Sequence, residues 1–219
     1  MRGTVAPVGG RIFFHGNPWP NGHAIKQFTW TGRVEPEGLF FEFDLQTEDY
    51  YAEEPGIESD ESDWKSPIVW GNFHSCHLQA DGRGFRVATE RKKLDLSQLE
   101  GRVFEADKKP ANWDDAAFHV YLLGHDSVAG HRIAFERRNS NGAYSIRWTG
   151  RICLSYVGET RYAHSFEARI DDAALDGIVV PDWNDEVNGR RALANLVPDA
   201  RRYAWNADKK AFIWVSGPP

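Results

Sequence analysis

Apolar and polar residues alternate with a period of two along much of this chain, in short runs broken by Gly, Asn, Asp and Pro. Successive side chains of an extended strand point to opposite faces, so this pattern predicts half-buried β-strands. The run over 39–45 is the cleanest case. Phe41, Phe43 and Leu45 share one face there, and Glu42 and Asp44 share the other. Similar runs predict strands over 11–14, 27–31, 68–70, 73–78, 84–89, 102–105, 117–123, 131–136, 144–148, 151–157 and 162–170. Asn141-Gly142 supplies the positive φ of a tight turn between two of them. Residues 124–130 read as the loop of another hairpin. Nearer the C-terminus, 177–180 reads as a strand stopped by Pro181, and 188–196 as a short helix ending before Pro198. The runs over 202–205 and 211–215 form a last hairpin, whose pairing would bring Tyr203, Trp205, Phe212 and Trp214 onto one aromatic face.

Adjacent hairpins imply antiparallel pairing. The expected fold is therefore mainly β: an antiparallel two-sheet β-sandwich with one or two short helices, as a single domain over 1–219. One internal similarity fits two related sheets. Trp30-Thr31-Gly32-Arg33-Val34 recurs as Trp148-Thr149-Gly150-Arg151-Ile152, and a central Gly in a strand marks a bulge or bend. Residues 47–66 break the strand pattern. They hold eight acidic side chains with Pro55 and Gly56 among them, and read as a long solvated loop.

Charge narrows the function classes. The formal net charge is −6, and residues 1–110 carry 13 basic against 18 acidic groups. A chain of this sign repels nucleic-acid phosphates and attracts a basic partner. The two cysteines, Cys76 and Cys153, are too few for a disulfide scaffold and read as reduced thiols. The N-terminus shows no apolar leader, and no apolar run is long enough to span a bilayer. Cytoplasmic residence and no membrane contact are expected.

Candidate chemistry is thin. No phosphate loop, dinucleotide fingerprint or Gly-x-Ser-x-Gly elbow occurs, so neither a cofactor nor a catalytic residue is assigned. Imidazole and thiolate both bind zinc, yet on a strand only two of His74, Cys76 and His77 share a face. His125 and His131 bracket the predicted 124–130 loop, and Asp126 would complete a two-His, one-carboxylate metal set. His119 and His164 read as structural strand residues. The acidic loop lacks the regular carboxylate spacing of a calcium site, and Glu42 with Asp44 is too common a pairing to single out a glycosidase.

The nine tryptophans divide by context. Trp30, Trp70, Trp148, Trp205 and Trp214 sit in strand-like runs and read as core. Trp19, Trp64, Trp113 and Trp183 sit in Pro-, Asn- or Asp-rich stretches. With Asp60 and Asp63 they form the candidate binding set, because exposed indoles beside carboxylates suit both protein hot spots and sugar faces. The expected function is a non-enzymatic binding protein. Its partner is another protein, a basic one by charge, as in bacterial immunity proteins that neutralise a toxin. The alternatives are a carbohydrate- or small-molecule-binding β-sandwich, and a metal-dependent hydrolase built on His125, Asp126 and His131.

Overall fold

A computed structural model describes residues 9–56, 62–80, 84–109, 115–181 and 185–215. The alternating runs are extended chain almost throughout. The strands are β1 (Gly10–Phe14), β2 (His23–Glu35), β3 (Gly38–Thr47), β4 (His77–Ala80), β5 (Phe85–Ala88), β6 (Val103–Ala106) and β7 (Phe118–Tyr121). They continue with β8 (His125–Arg138), β9 (Tyr144–Cys153), β10 (His164–Ala173), β11 (Gly177–Val179), β12 (Tyr203–Asn206) and β13 (Ala211–Trp214). The helices are α1 (Pro67–Gly71) and α2 (Glu186–Leu196). None of the described helices is long and apolar enough to cross a membrane.

The expected sandwich is corrected by strand pairing. The ring β2–β1–β10–β9–β8–β7–β4–β3 returns to β2, so the sheet closes into an eight-stranded antiparallel barrel. Closure rests on β1, which pairs with β2 on one side and β10 on the other, with Ile12 opposite Ala168 and Phe14 opposite Phe166. A sandwich and a barrel share the same in–out alternation, which is why the local pattern does not separate them. Irregular registers between Ile25 and Gln27, Ala129 and Arg132, and Ile170 and Ala173 add the curl that a small barrel needs.

Several element boundaries also differ from expectation. The predicted 124–130 loop is strand: β8 runs straight through it, with Gly130 at φ +65 inside an irregular stretch, and the real turn from β7 is only Leu122–Gly124. Residues 68–70 are helical, because Ser66 caps the Val69 N–H and Pro67 occupies the first turn, where its missing N–H costs nothing. The two Trp-Thr-Gly-Arg segments lie inside unbroken strands, with Gly32 in register with Phe41 and Gly150 with Phe166. Their glycines permit close approach instead of a bend. A Cβ on Gly150 would lie 2.6 Å from the Phe166 ring, and one on Gly32 would lie 3.1 Å from Ile178.

Aromatic rings fill the barrel, as expected for eight strands, whose lumen is just wide enough for side chains. Rings from strands that are not neighbours meet inside. Phe43 of β3 lies 5.6 Å from Trp148 of β9, and Trp30 of β2 lies 5.1 Å from Phe135 of β8. One end is stoppered by the stretch between β3 and β4. The predicted solvated loop is in part a lid, with Tyr50, Trp64 and Trp70 buried beneath it. The other end is covered by residues 94–99 and by the C-terminal unit of β11–β13 and α2, where Leu96, Leu99, Leu193 and Tyr203 are buried. Tyr203 faces Trp214 and Trp205 faces Phe212, the ring pairs that the last hairpin predicts. In this half of the wall, β5 and β6 oppose each other without pairing among the described residues. Phe85 and Phe104 bridge the slit at 6.0 Å.

Two histidines lie inside. His23 contacts Asn17 Nδ2 at 3.2 Å and is ringed by Trp19, Tyr50 and Trp70. His131 accepts a hydrogen bond from Trp148 Nε1 at 3.2 Å through Nδ1, which places the proton of the neutral ring on Nε2. Burial, helped by the Arg11 charge, lowers the His23 pKa to about 4, and burial lowers that of His131 to about 3. Both therefore fold neutral, whereas in the unfolded chain both titrate near the usual histidine value of about 6.5. As pH falls through that value the unfolded state takes up two protons that the folded state refuses, so stability is lost. The expected loss between pH 7 and 5 is about 3–4 kcal/mol, read as a falling urea midpoint. His23→Gln or His131→Gln should each remove roughly half of that slope. A flat midpoint across this range would contradict the neutral interior.

Candidate functional site

The two predicted binding tryptophans that are described, Trp19 and Trp64, are not exposed. Trp19 is 2% and Trp64 5% exposed. Their N–H groups donate to backbone carbonyls, Trp19 to Glu53 at 2.9 Å and Trp64 to His15 at 3.1 Å. Trp64 also stacks on His164 at 4.0 Å. These indoles fasten the lid to the barrel rim, which corrects their assignment as partner-facing residues. Asp63 is exposed at the start of a 3₁₀ turn. Trp113, Trp183 and Asp60 lie outside the described residues.

The proposed metal set disperses as well. His125 is exposed beside Tyr121, and His131 is inside the barrel. Asp126 is fully buried, its two oxygens accepting the backbone N–H groups of Leu123 (3.1 Å) and Tyr156 (3.2 Å). Burial raises its pKa despite these bonds. Among the described residues no three His, Cys, Asp or Glu side chains meet as a metal site. His74, Cys76 and His77 also part company. His74 sits at φ +64 with Asp49 3.5 Å away, Cys76 is buried under the lid, and His77 bonds Asp44 at 2.8 Å on the outer face. Cys76 and Cys153 are both free thiols.

What the structure brings together is a surface that the sequence reading did not single out. At the lidded end, Phe73, Tyr121, His125 and Tyr156 form a continuous aromatic patch. Phe73 lies 6.1 Å from Tyr121 and 6.2 Å from Tyr156, and Tyr121 lies 5.4 Å from His125. Tyr156 is 65% exposed and Tyr121 38%, with Val157 beside them also open to solvent. Asp49 borders the patch through His74, which follows Phe73 in the chain.

Local chemistry holds this patch in place. Gly124, at φ +132, turns the chain from β7 into β8. Its missing side chain is essential, since a Cβ there would collide with the Tyr156 ring. Tyr156 belongs to a 3₁₀ turn, Ser155–Val157, that ends on Gly158 at φ +87. Asp126 ties that turn to the β7–β8 hairpin through its two accepted bonds. Ser155 Oγ adds a bond to Ser127 Oγ at 2.7 Å. Paired glycines around a turn tyrosine were the available sequence signal; the approach of Phe73 was not, because it depends on how the lid folds back.

Asp126→Ala strands both N–H groups, so a stability loss of about 1–3 kcal/mol is expected by chemical denaturation. Asp126→Asn keeps an acceptor oxygen and should lose less. If neither substitution moves the denaturation midpoint, Asp126 does not hold the turn.

No protein-family model, curated protein or solved structure matches this chain.

Proposed function

We propose that this chain is a binding protein whose partner is another, basic protein, met through the aromatic patch at the lidded end of the barrel. The single observation that carries this reading is the aromatic run Tyr156–Phe73–Tyr121–His125, with exposed tyrosines on a half-buried Phe73 and the Tyr156 turn tied down by Asp126. Tyrosines are favoured at protein interfaces, because each offers a large apolar face with a polar tip and little side-chain entropy to lose. Pre-ordering the patch lowers the ordering cost of association further. The sign of the partner follows from charge: the chain carries −6, and Asp49 stands beside the patch. Neutralising toxins, as immunity-type proteins do, belongs to this class of role.

The test compares the wild type with the Tyr121→Ala/Tyr156→Ala double variant in cross-linking and affinity capture from the native host. Both side chains are exposed, so the variant should keep its unfolding midpoint. Interface tyrosines commonly contribute about 1–2 kcal/mol each, so the captured basic partner should bind at least tenfold more weakly to the variant. Its association should also slow as salt is raised. Equal capture by both proteins, or a partner that is acidic, would overturn the proposal.

A further inference from the structure

A second surface feature lies at the opposite end of the molecule and owes nothing to the aromatic patch. Strands β2 and β9, residues 94–99 and the β12–β13 hairpin converge there on a cavity of about 130 Å³. Its walls are the rings of Trp30, Tyr144, Tyr203 and Trp214 together with Leu96, and Arg138 stands at its edge. A cavity of about 150 Å³ lined by apolar side chains is enough to take up a benzene molecule. At this size the hollow takes no more than a single six-membered ring, and a substituent on that ring has to leave through the open side, where Arg138 stands at the surface.

Polarity selects the substituent. The Arg138 guanidinium lies 5.9 Å above the Tyr144 ring. It pairs with no carboxylate side chain among the described residues, so it repels a cation and offers a fork to an anion. Three polar groups of the wall are already engaged. The Tyr144 hydroxyl donates to Leu96 O at 3.2 Å and accepts from Leu99 N at 3.3 Å. Ser97 Oγ donates to Asp95 at 2.7 Å, and Asn141 Oδ1 accepts from Ala143 N at 3.0 Å. Trp30 Nε1 differs from these: it is buried and has no hydrogen-bond partner among the described residues. An unmet buried donor is costly, and an acceptor brought by a ligand would relieve it. Asp95 and Glu100 are close enough for their charges to act on Tyr144. Asp95 is tied to Ser97, and Glu100 accepts the Arg138 backbone N–H. Their presence disfavours a dianion.

From these features we infer a small-molecule site that takes a flat aromatic monocarboxylate of about benzoate size. The ring stacks among the four aromatic walls, and the carboxylate meets Arg138. The site is separate from the protein-binding patch.

The probe is sodium benzoate, titrated into the full chain and followed by the indole N–H resonances of the nine tryptophans, each assigned by its Trp→Phe variant. Saturable binding is expected, with the Trp30 and Trp214 signals moving and those of Trp19, Trp64 and Trp70 at the far end unchanged. Arg138→Gln should weaken benzoate at least tenfold while leaving binding of uncharged benzene within twofold, and benzylamine should bind at least tenfold more weakly than benzoate. Tyr121→Ala/Tyr156→Ala should leave benzoate binding as it is, so the two proposals fail separately. Any of three results would sink this site: no saturation by benzoate, unchanged affinity in Arg138→Gln, or benzylamine binding as tightly as benzoate.

Discussion

Everything in this molecule depends on the pairing of a five-residue strand with two partners far apart in sequence. β1 joins β2 on one side and β10 on the other, and so turns a meander into a ring. Without it the sheet would present two long hydrogen-bonding edges beside an aromatic interior. With it, the backbone groups of most of the wall are paired and Ile12 and Phe14 are carried into the core. The rings that meet across the lumen can do so only because the wall is curved. Phe43, Trp30, Phe135 and Trp148 would be too distant to touch in a flat sheet.

The filled lumen explains why the candidate sites sit at the ends. Large-cavity barrels hold ligands inside; here rings occupy that volume, and the two histidines among them are neutral. His131 accepts from Trp148, and His23 contacts Asn17. Binding chemistry is thereby displaced to the two rims, where turns and lids present side chains on a rigid base. Each rim also has its own logic. One projects aromatic rings outward beside a carboxylate, and the other draws them inward around a hollow next to a guanidinium.

Local features were legible where short-range physics decides them. The 39–45 alternation placed Phe41, Phe43 and Leu45 inside and Glu42 and Asp44 outside, as the strand shows. The C-terminal aromatic hairpin and the helix before Pro198 also follow from local pattern, although α2 begins two residues earlier than expected, capped by Asp185. Closure was not legible, since nothing in residues 10–14 announces residues 164–173 as a partner. Trp19 and Trp64 misled for a related reason. Beside Pro, Asn and Asp an indole looks surface-bound, but Trp19 and Trp64 each find a carbonyl across the lid, and that acceptor is visible only in three dimensions. The metal reading of His125, Asp126 and His131 failed because it assumed a loop where β8 is continuous strand.

The slit between β5 and β6 leaves the ring incompletely sealed in one half. Two open strand edges facing each other would ordinarily invite another strand, including one from a neighbouring copy. Arg86, Lys92, Lys93 and Arg102 line this groove, all of them at the surface. Concentrated positive charge on an open edge is a common guard against edge-to-edge aggregation, because a like-charged edge is repelled before its amides can register. An acidic protein that keeps a local knot of cations at this seam guards the edge by where the charge lies more than by how much there is.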